Sequence, residues 1–410
     1  MNKNIKLAVA GAVLALSATA NAGIIIPAGD WTVDIGGNVN TFYTHTKGSG
    51  ANAAVAGQNS SKNQFQTGLL PSALGIGAKT RQNDIDVAFQ FSFWTGSNAN
   101  GADNLKGIAN GNGGLGYSSL NIRQSYLTFG DKSWGTFTAG RNLGVFGSDA
   151  ILSDMTLLGV GSFAGGQGSS TLGRIGSGYI YADWKAQLAY TTPNFNGFEA
   201  TGAITEGTGQ IDNSNLGYEG KASYSFAADA VTGKVWVGGK TLKIQTSAVA
   251  GTGSTVGTGV ITEYDVNGGE IGAKLSAQGF DLVGYYYAGE NMDDGVGQAR
   301  NTIATASANF QENDNSGGYV QATYALPTKT KVGVSWGKNV IEKGTLKGTT
   351  AAGIRDGERE AWVVGAYHPL TKHLNLVAEY NHLETTSATA AAGSEEGKSK
   401  TVSLGAILFF

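Results

Sequence analysis

Period-two alternation of apolar and polar residues runs through most of this chain. Between Asp84 and Trp94, Ile85, Val87, Phe89, Phe91 and Phe93 take one parity; Asp86, Ala88, Gln90 and Ser92 take the other. Successive side chains of an extended strand point to opposite faces, so one set meets an apolar phase and the other meets water. A helix would scatter the same phenylalanines around its surface. Trp31–His45 repeats the pattern, with Trp31, Val33, Ile35, Val39 and Tyr43 against Thr32, Asp34, Asn38 and Asn40; Phe42 breaks it. The last residues do so again, Val402, Leu404, Ala406, Leu408 and Phe410 alternating with Thr401, Ser403 and Gly405. That segment has the ~9–11 residues of a tilted transmembrane strand.

Short turns join such strands in pairs. Ala73–Lys79 meets Asp84–Trp94, Asn121–Gly130 meets Gly135–Arg141, and Trp184–Thr192 turns at Pro193-Asn194-Phe195-Asn196 into Gly197–Ile204. Tyr218–Ala227 pairs with Lys234–Ile244, whose parity is the poorest, and Glu263–Leu275 pairs with Phe280–Ala288. Gly318–Leu326 turns into Lys331–Trp336, and Arg359–His368 into Leu374–Leu383. Longer polar loops separate the hairpins, among them Thr46–Leu70, Gly96–Gly116, Thr246–Thr262 and Glu290–Gly317. Strict alternation of short turn and long loop, with about sixteen strands, predicts an all-β fold: a transmembrane antiparallel β-barrel with short turns on the periplasmic side.

The N-terminus and the composition fit that expectation. Lys3 and Lys6 precede the apolar run Leu7–Ala18, and Ala20-Asn21-Ala22 follows. This is the order of a secretory signal peptide, so residues 1–22 are expected to be removed and 23–410 to form one barrel. No other segment approaches the ~18 apolar residues of a membrane helix, and only a closed sheet satisfies a β backbone in lipid. The chain has 64 glycines, 14% charged residues and no cysteine, which excludes disulfides and thiolate metal sites. Without Lys3 and Lys6 the basic count falls from 28 to 26 against 31 acidic residues, a net charge of −5. An acidic chain is a poor nucleic-acid ligand, and no nucleic-acid partner is expected.

One stretch departs from this grammar. Asn121–Gly130 and Gly135–Arg141 form a hairpin, after which no clear strand begins until about Gly178. A structureless run of that length in a compact fold is usually functional or disordered. The segments NIRQSYLTFG, WGTFTAGRNLGVF, SDM and LGRIGSG, with LAYTTPNFNG at Leu188–Gly197 and the terminal phenylalanine, resemble the sixteen-stranded general porins of the Gram-negative outer membrane. The resemblance implies an inward-folded third loop, about residues 142–173, that narrows the barrel. It implies wall arginines at Arg123, Arg141 and Arg174 facing a loop carboxylate at Asp154. Two family positions differ: a wall arginine is replaced by Ala73, and a second loop carboxylate by Leu158. Asp149 either supplies that negative charge or caps a short helix over Ala150–Leu157.

The arginines also carry an argument of their own. Two guanidinium groups ~6 Å apart at an effective dielectric of ~20 repel by ~3 kcal/mol. A wall gathers them where something opposes them or where solutes use the field, although a lone arginine more often snorkels or pairs locally. If the arginines face inward, Gln124, Thr128, Thr136 and Thr138 would face outward, which suggests a wall buried in an oligomer. The expected function is therefore a porin: a water-filled channel for passive diffusion of small hydrophilic solutes and ions, selecting by size and charge. The resemblance adds a homotrimer, contact with outer-membrane lipid and lipopolysaccharide, no catalysis, and no cofactor or metal.

Other classes have weaker support. An outer-membrane hydrolase would use His45 or Asn381-His382-Leu383-Glu384, but no Gly-x-Ser-x-Gly or His-Glu-x-x-His motif is present. An adhesin would work through loops such as Gly251–Gly259. A solute-specific channel could line a sugar path with Tyr285, Tyr286 and Tyr287, which an interfacial aromatic belt also explains. Asp293-Asp294 and Asn313-Asp314-Asn315 lack the spacing of a calcium loop.

Overall fold

A computed structural model describes residues 23–50, 61–96, 120–162, 170–206, 215–247, 261–292, 313–342, 357–389 and 393–410. The expected signal peptide, Gly251–Gly259, Asp293-Asp294 and residues 163–169 of the inward loop lie outside them. The strands are β1 (Ile24–Ala28), β2 (Trp31–Gly50), β3 (Ser61–Gln66), β4 (Ser72–Gln82), β5 (Ile85–Thr95), β6 (Asn121–Asp131) and β7 (Gly135–Leu143). They continue as β8 (Trp184–Thr191), β9 (Phe198–Glu206), β10 (Leu216–Ala228), β11 (Val231–Ser247), β12 (Ile261–Ala277) and β13 (Phe280–Glu290). The last are β14 (Asp314–Ala325), β15 (Lys331–Glu342), β16 (Gly357–Pro369), β17 (Leu374–Thr389) and β18 (Gly393–Phe409).

Each strand pairs antiparallel with its neighbours, and β18 pairs with β2 to close the sheet. Two wall positions are shared by two strands. β3 pairs with the long-loop half of β2 and β4 with its short-turn half. β18 lies along β2 as far as Asn38, and β1 takes over from Ile35. Among the described residues, eighteen strands thus fill sixteen positions, as expected; β1 and β3 are too short to show as alternation. The tight turns use residues that tolerate positive φ, such as Asn83-Asp84 (48° and 62°) and Gln278-Gly279 (50° and 86°), which matches the twist of the flanking strands.

The barrel is apolar outside and polar inside. On β18, Val402 and Leu404 are exposed while Thr401 and Ser403 are fully buried in the bore. Val320, Val334 and Val364 continue the exposed apolar surface. β11, the strand with poor parity, extends well beyond its expected bounds. Its irregularity has a cause: Val235 and Val237 face outward, but Trp236 faces inward and is buried in an interior apolar cluster.

The polar face expected on the outside of β6 and β7 is not there. The β5–β6 register shifts between Ser92 and Phe93, so that Phe93 opposes Ile122, Ser92 opposes Gln124, and Arg123 is the extra residue of a bulge. A bulge resets the alternation. Gln124 becomes a buried inward residue, Thr128 opposes Thr138 on the inward face, and the outer face carries Leu127 against Ala139 and Phe129 against Phe137. Polarity of this wall therefore gives no sign of oligomerisation.

Substituting Val364→Arg, in the middle of the outer face, is expected to lower stability in bilayers by about 2–4 kcal/mol. Urea titration of the refolded variant measures it.

Candidate pore constriction

Beyond β7 the chain turns into the bore. Gly144 donates its N–H to the Asp183 carbonyl (2.8 Å), which ties the neck of the loop to the start of β8. The approach is so close that a Cβ on Gly144 would stand 2.2 Å from the Ala182 oxygen. From that neck the loop crosses the interior, and acceptors on successive strands receive its backbone N–H groups.

Glu219 on β10 accepts from Val145 (2.7 Å) and Phe146 (3.0 Å) through one oxygen, and Lys185 engages the other. Glu270 on β12 accepts from Gly147 (2.9 Å) and from the Tyr285 hydroxyl (2.8 Å). On β14, Gln321 accepts from the Met155 N–H (2.7 Å) and donates to the Ser153 carbonyl (3.1 Å), while Tyr319 donates to Ala150 (2.8 Å). On β17, Glu379 accepts from Val160 (2.9 Å) and Gly161 (2.7 Å) and from the Tyr367 hydroxyl (2.7 Å). Leu69, just before β4, donates to the Gly159 carbonyl (2.9 Å). The segment therefore spans the bore from β10 to the strands beside β2. Phe146, Ala150, Ile151, Ile175, Tyr179 and Ile180 pack beneath it against Trp236, Tyr285, Tyr287 and Tyr319.

Two short helices shape the crossing. Helix α1 (Ser148–Ser153) starts at Gly147 with no side-chain cap, so Asp149 does not cap it. Instead Asp149 lies between Lys221 of β10 (2.7 Å) and Lys234 of β11. Burial pushes its carboxyl up, but the two lysines outweigh that and hold it below the usual carboxylate range. The 3₁₀ turn Met155–Leu158 is capped by Asp154, which accepts from the Thr156 N–H (2.9 Å) and hydroxyl (2.8 Å).

The expected residues are only partly brought together. Asp154 and Arg174 do meet, yet both are sealed beneath the loop. The other Asp154 oxygen accepts from the Arg174 N–H (3.1 Å) and the Tyr179 hydroxyl (2.8 Å). The Arg174 guanidinium donates to the Ser335 hydroxyl (3.1 Å), the Ser335 carbonyl and the Ala361 carbonyl (2.6 Å). Burial pushes the Asp154 carboxyl up and the Arg174 guanidinium down, each opposed by the other's charge. The expectation that these two face each other across open water is thus replaced by an internal pair fastening the loop to β15 and β16. The guanidinium is used up by wall acceptors, which leaves none of it for solutes.

Arg123 does reach inward: its bulge turns it over the Trp94 ring, 4.7 Å from the centroid. Arg141 pairs in register with Ser125 and Ala186, and beyond the positive-φ Gly140 its charge, like that of Arg123, acts on Tyr181 of the buried loop. Leu158 packs between two apolar clusters, and Ala73 is buried opposite Asn38. The three tyrosines divide, Tyr285 and Tyr287 buried inward and Tyr286 exposed on the outer face, so neither a sugar path nor a belt describes them as a set. His45 is tied to Asn63 (2.8 Å), and His382 to Glu384 (2.9 Å). Sequence reasoning missed Glu219, Glu270, Glu379, Lys221 and Lys234. A carboxylate or ammonium at inward parity within a transmembrane strand was the available signal.

A closed sixteen-position barrel with an apolar exterior and a loop fastened inside its bore defines an outer-membrane channel of the porin class. The chain belongs to the Gram-negative porin family, which matches residues 7–388. No curated protein matches it. Among solved structures it is similar to the outer membrane channel DcaP of Acinetobacter baumannii (15% identity, TM-score 0.61, covering 95% of this chain and 100% of that one). It is also similar to OmpT, an outer membrane protein of Vibrio cholerae (14%, 0.58, 94% and 100%). A third is OmpF of Salmonella typhi, in a complex with daunomycin (17%, 0.55, 93% and 100%). At these identities the likeness speaks for the fold.

Replacing Glu379 by Ala leaves the Val160 and Gly161 N–H groups without acceptors, at about 1–3 kcal/mol each. Hydrogen exchange is expected to accelerate at those two amides while β17 stays protected. Because the Asp149 carboxyl is held low, its contribution is complete above the ordinary carboxylate range and disappears only as pH falls through the lower folded value. Lys234→Ala removes one of the two cations, so acid should release α1 at a higher pH in that variant, as followed by amide exchange.

Proposed function

We propose that this protein is a general-diffusion porin: a non-enzymatic channel for small hydrophilic solutes and ions, selecting at the level of the inward loop. The observation that supports this most is the loop itself, fixed across the bore by wall carboxylates and not laid over the outer rim. A crossing held by short bonds at many points keeps a constant aperture, as a size filter requires.

The charges that sort ions at that aperture are, on this reading, Asp149 with Lys221 and Lys234, joined by Arg123 above Trp94. Asp154 and Arg174 serve by holding the loop's shape. Arg141, at the loop end of β7, acts with Arg123 on Tyr181 of the loop. The reading also takes residues 1–22 as a cleaved export signal and places lipid and lipopolysaccharide against the outer face. A trimer is favoured by analogy with OmpT of Vibrio cholerae, one of whose similar structures is a trimer form.

Planar-bilayer recording tests the reading. Stepwise ohmic openings are expected, and neutralising Lys221 and Lys234 together should move the reversal potential in a salt gradient toward that of a cation-preferring pore. A chain that inserts but never conducts would overturn the channel; an unmoved reversal potential would overturn the assignment of these lysines.

A further inference from the structure

Beside β1 the wall holds a carboxylate oxygen with no partner among the described residues. Asp34, on the inward face of β2, has its Oδ1 shut off from solvent and makes no hydrogen bond to a described residue through it. Buried polar atoms in folded proteins almost always find partners, so each orphan asks for an explanation. Gly23 is what faces it. A Cβ placed on Gly23 would stand 2.6 Å from Asp34 Oδ1 and 3.5 Å from its Cγ, so no side chain fits there while Asp34 keeps its place. The Gly23 nitrogen, two bonds from that point, lies within about 5 Å of the oxygen.

Register explains the meeting. Phe409 opposes Asn38 and Ile24 opposes Ile35. Phe410 exchanges backbone hydrogen bonds with Gly37 (2.8 and 3.1 Å). Counting along β2, only the position opposite Gly36 remains, and Gly23 is the residue that falls there. The seam where β18 hands over to β1 thus sets Gly23 beside the Asp34 carboxylate. Lys79 on β4 is the cation that acts on Asp34, and its side chain is exposed.

While residues 1–22 are attached, the Gly23 nitrogen is a neutral peptide N–H. The bond between Ala22 and Gly23 is also where Ala20-Asn21-Ala22 directs cleavage. We propose that removing residues 1–22 creates the partner Asp34 lacks. Water hydrolyses the Ala22–Gly23 peptide, its hydroxyl going to the Ala22 carbonyl and its hydrogen to the Gly23 nitrogen. Protonation of that amine at neutral pH yields an α-ammonium, and this cation pairs with Asp34 across the seam. Maturation thereby supplies a cation that the closing seam of the barrel uses. The inference rests on the export reading and not on transport through the bore.

Mass spectrometry of the chain isolated from outer membranes gives its first residue; any start other than Gly23 overturns the proposal. With Gly23 first, the pH profile of α-amine reductive methylation reads the cation directly. In the folded chain its midpoint should lie above the ordinary ~7.7–8.0 of an α-amine, and Asp34→Asn should return it to that range. A folded wild-type midpoint at the ordinary value, or a raised one that survives Asp34→Asn, overturns it. Should Asp34→Asn fold poorly, the wild-type chain refolded with one alanine added before Gly23 provides a second arm. The added residue carries the cation away from Asp34, so the α-amine midpoint should return to the ordinary range. A midpoint that stays raised overturns the pairing.

Discussion

A backbone N–H taken into a barrel's interior must find an acceptor, and this protein supplies acceptors from its wall. Five loop amides, those of Val145, Phe146, Gly147, Val160 and Gly161, are received by the side chains of Glu219, Glu270 and Glu379. Leaving any of them unmet would cost about 1–3 kcal/mol, and an isolated carboxylate in the same place would cost more. Each half of the arrangement is unfavourable alone. Together, charge-assisted bonds fix both the loop and the glutamates, so the crossing has one position and not a family of them.

The apolar packing follows from that constraint. Once the loop lies against β10 to β17, the wall residues beneath it no longer face water. Trp236, Tyr285, Tyr287 and Tyr319 accordingly occupy inward positions where a freely wetted bore would carry polar side chains. The glycines obey the same geometry at the points of closest approach. A Cβ on Gly159 would stand 1.9 Å from Glu379 Oε1, so the bond from the neighbouring Val160 amide to that glutamate requires glycine beside it.

Much of the fold was legible because lipid outside and water inside impose a period of two on nearly every strand. The inner strand positions were not equally legible. Where the loop covers the wall, as at Trp236, alternation fails although the strand is regular. At Arg123 a single bulge residue reverses every later parity on β6, and no composition signal marks it. Arg174 illustrates the harder limit. Its place beside Asp154 was expected from resemblance, but whether a guanidinium meets solute or wall depends on the Ser335 and Ala361 carbonyls, about 160 and 190 residues further along the chain.

This division of labour among charges bears on how such a channel tolerates change. Charges with several partners inside protein, such as Arg174 and Glu379, cannot be varied singly, since each loss orphans more than one group. Asp149, Lys221 and Lys234 stand at the edge of the loop in partial contact with solvent, where a lost partner can be replaced by water or a mobile ion. On the proposed reading, ion preference can shift at this edge while the glutamates behind it keep the loop in place. If the proposed reading holds, the loop's shape and the pore's charge are set by different residues, and that separation would let one barrel change its solutes without being rebuilt.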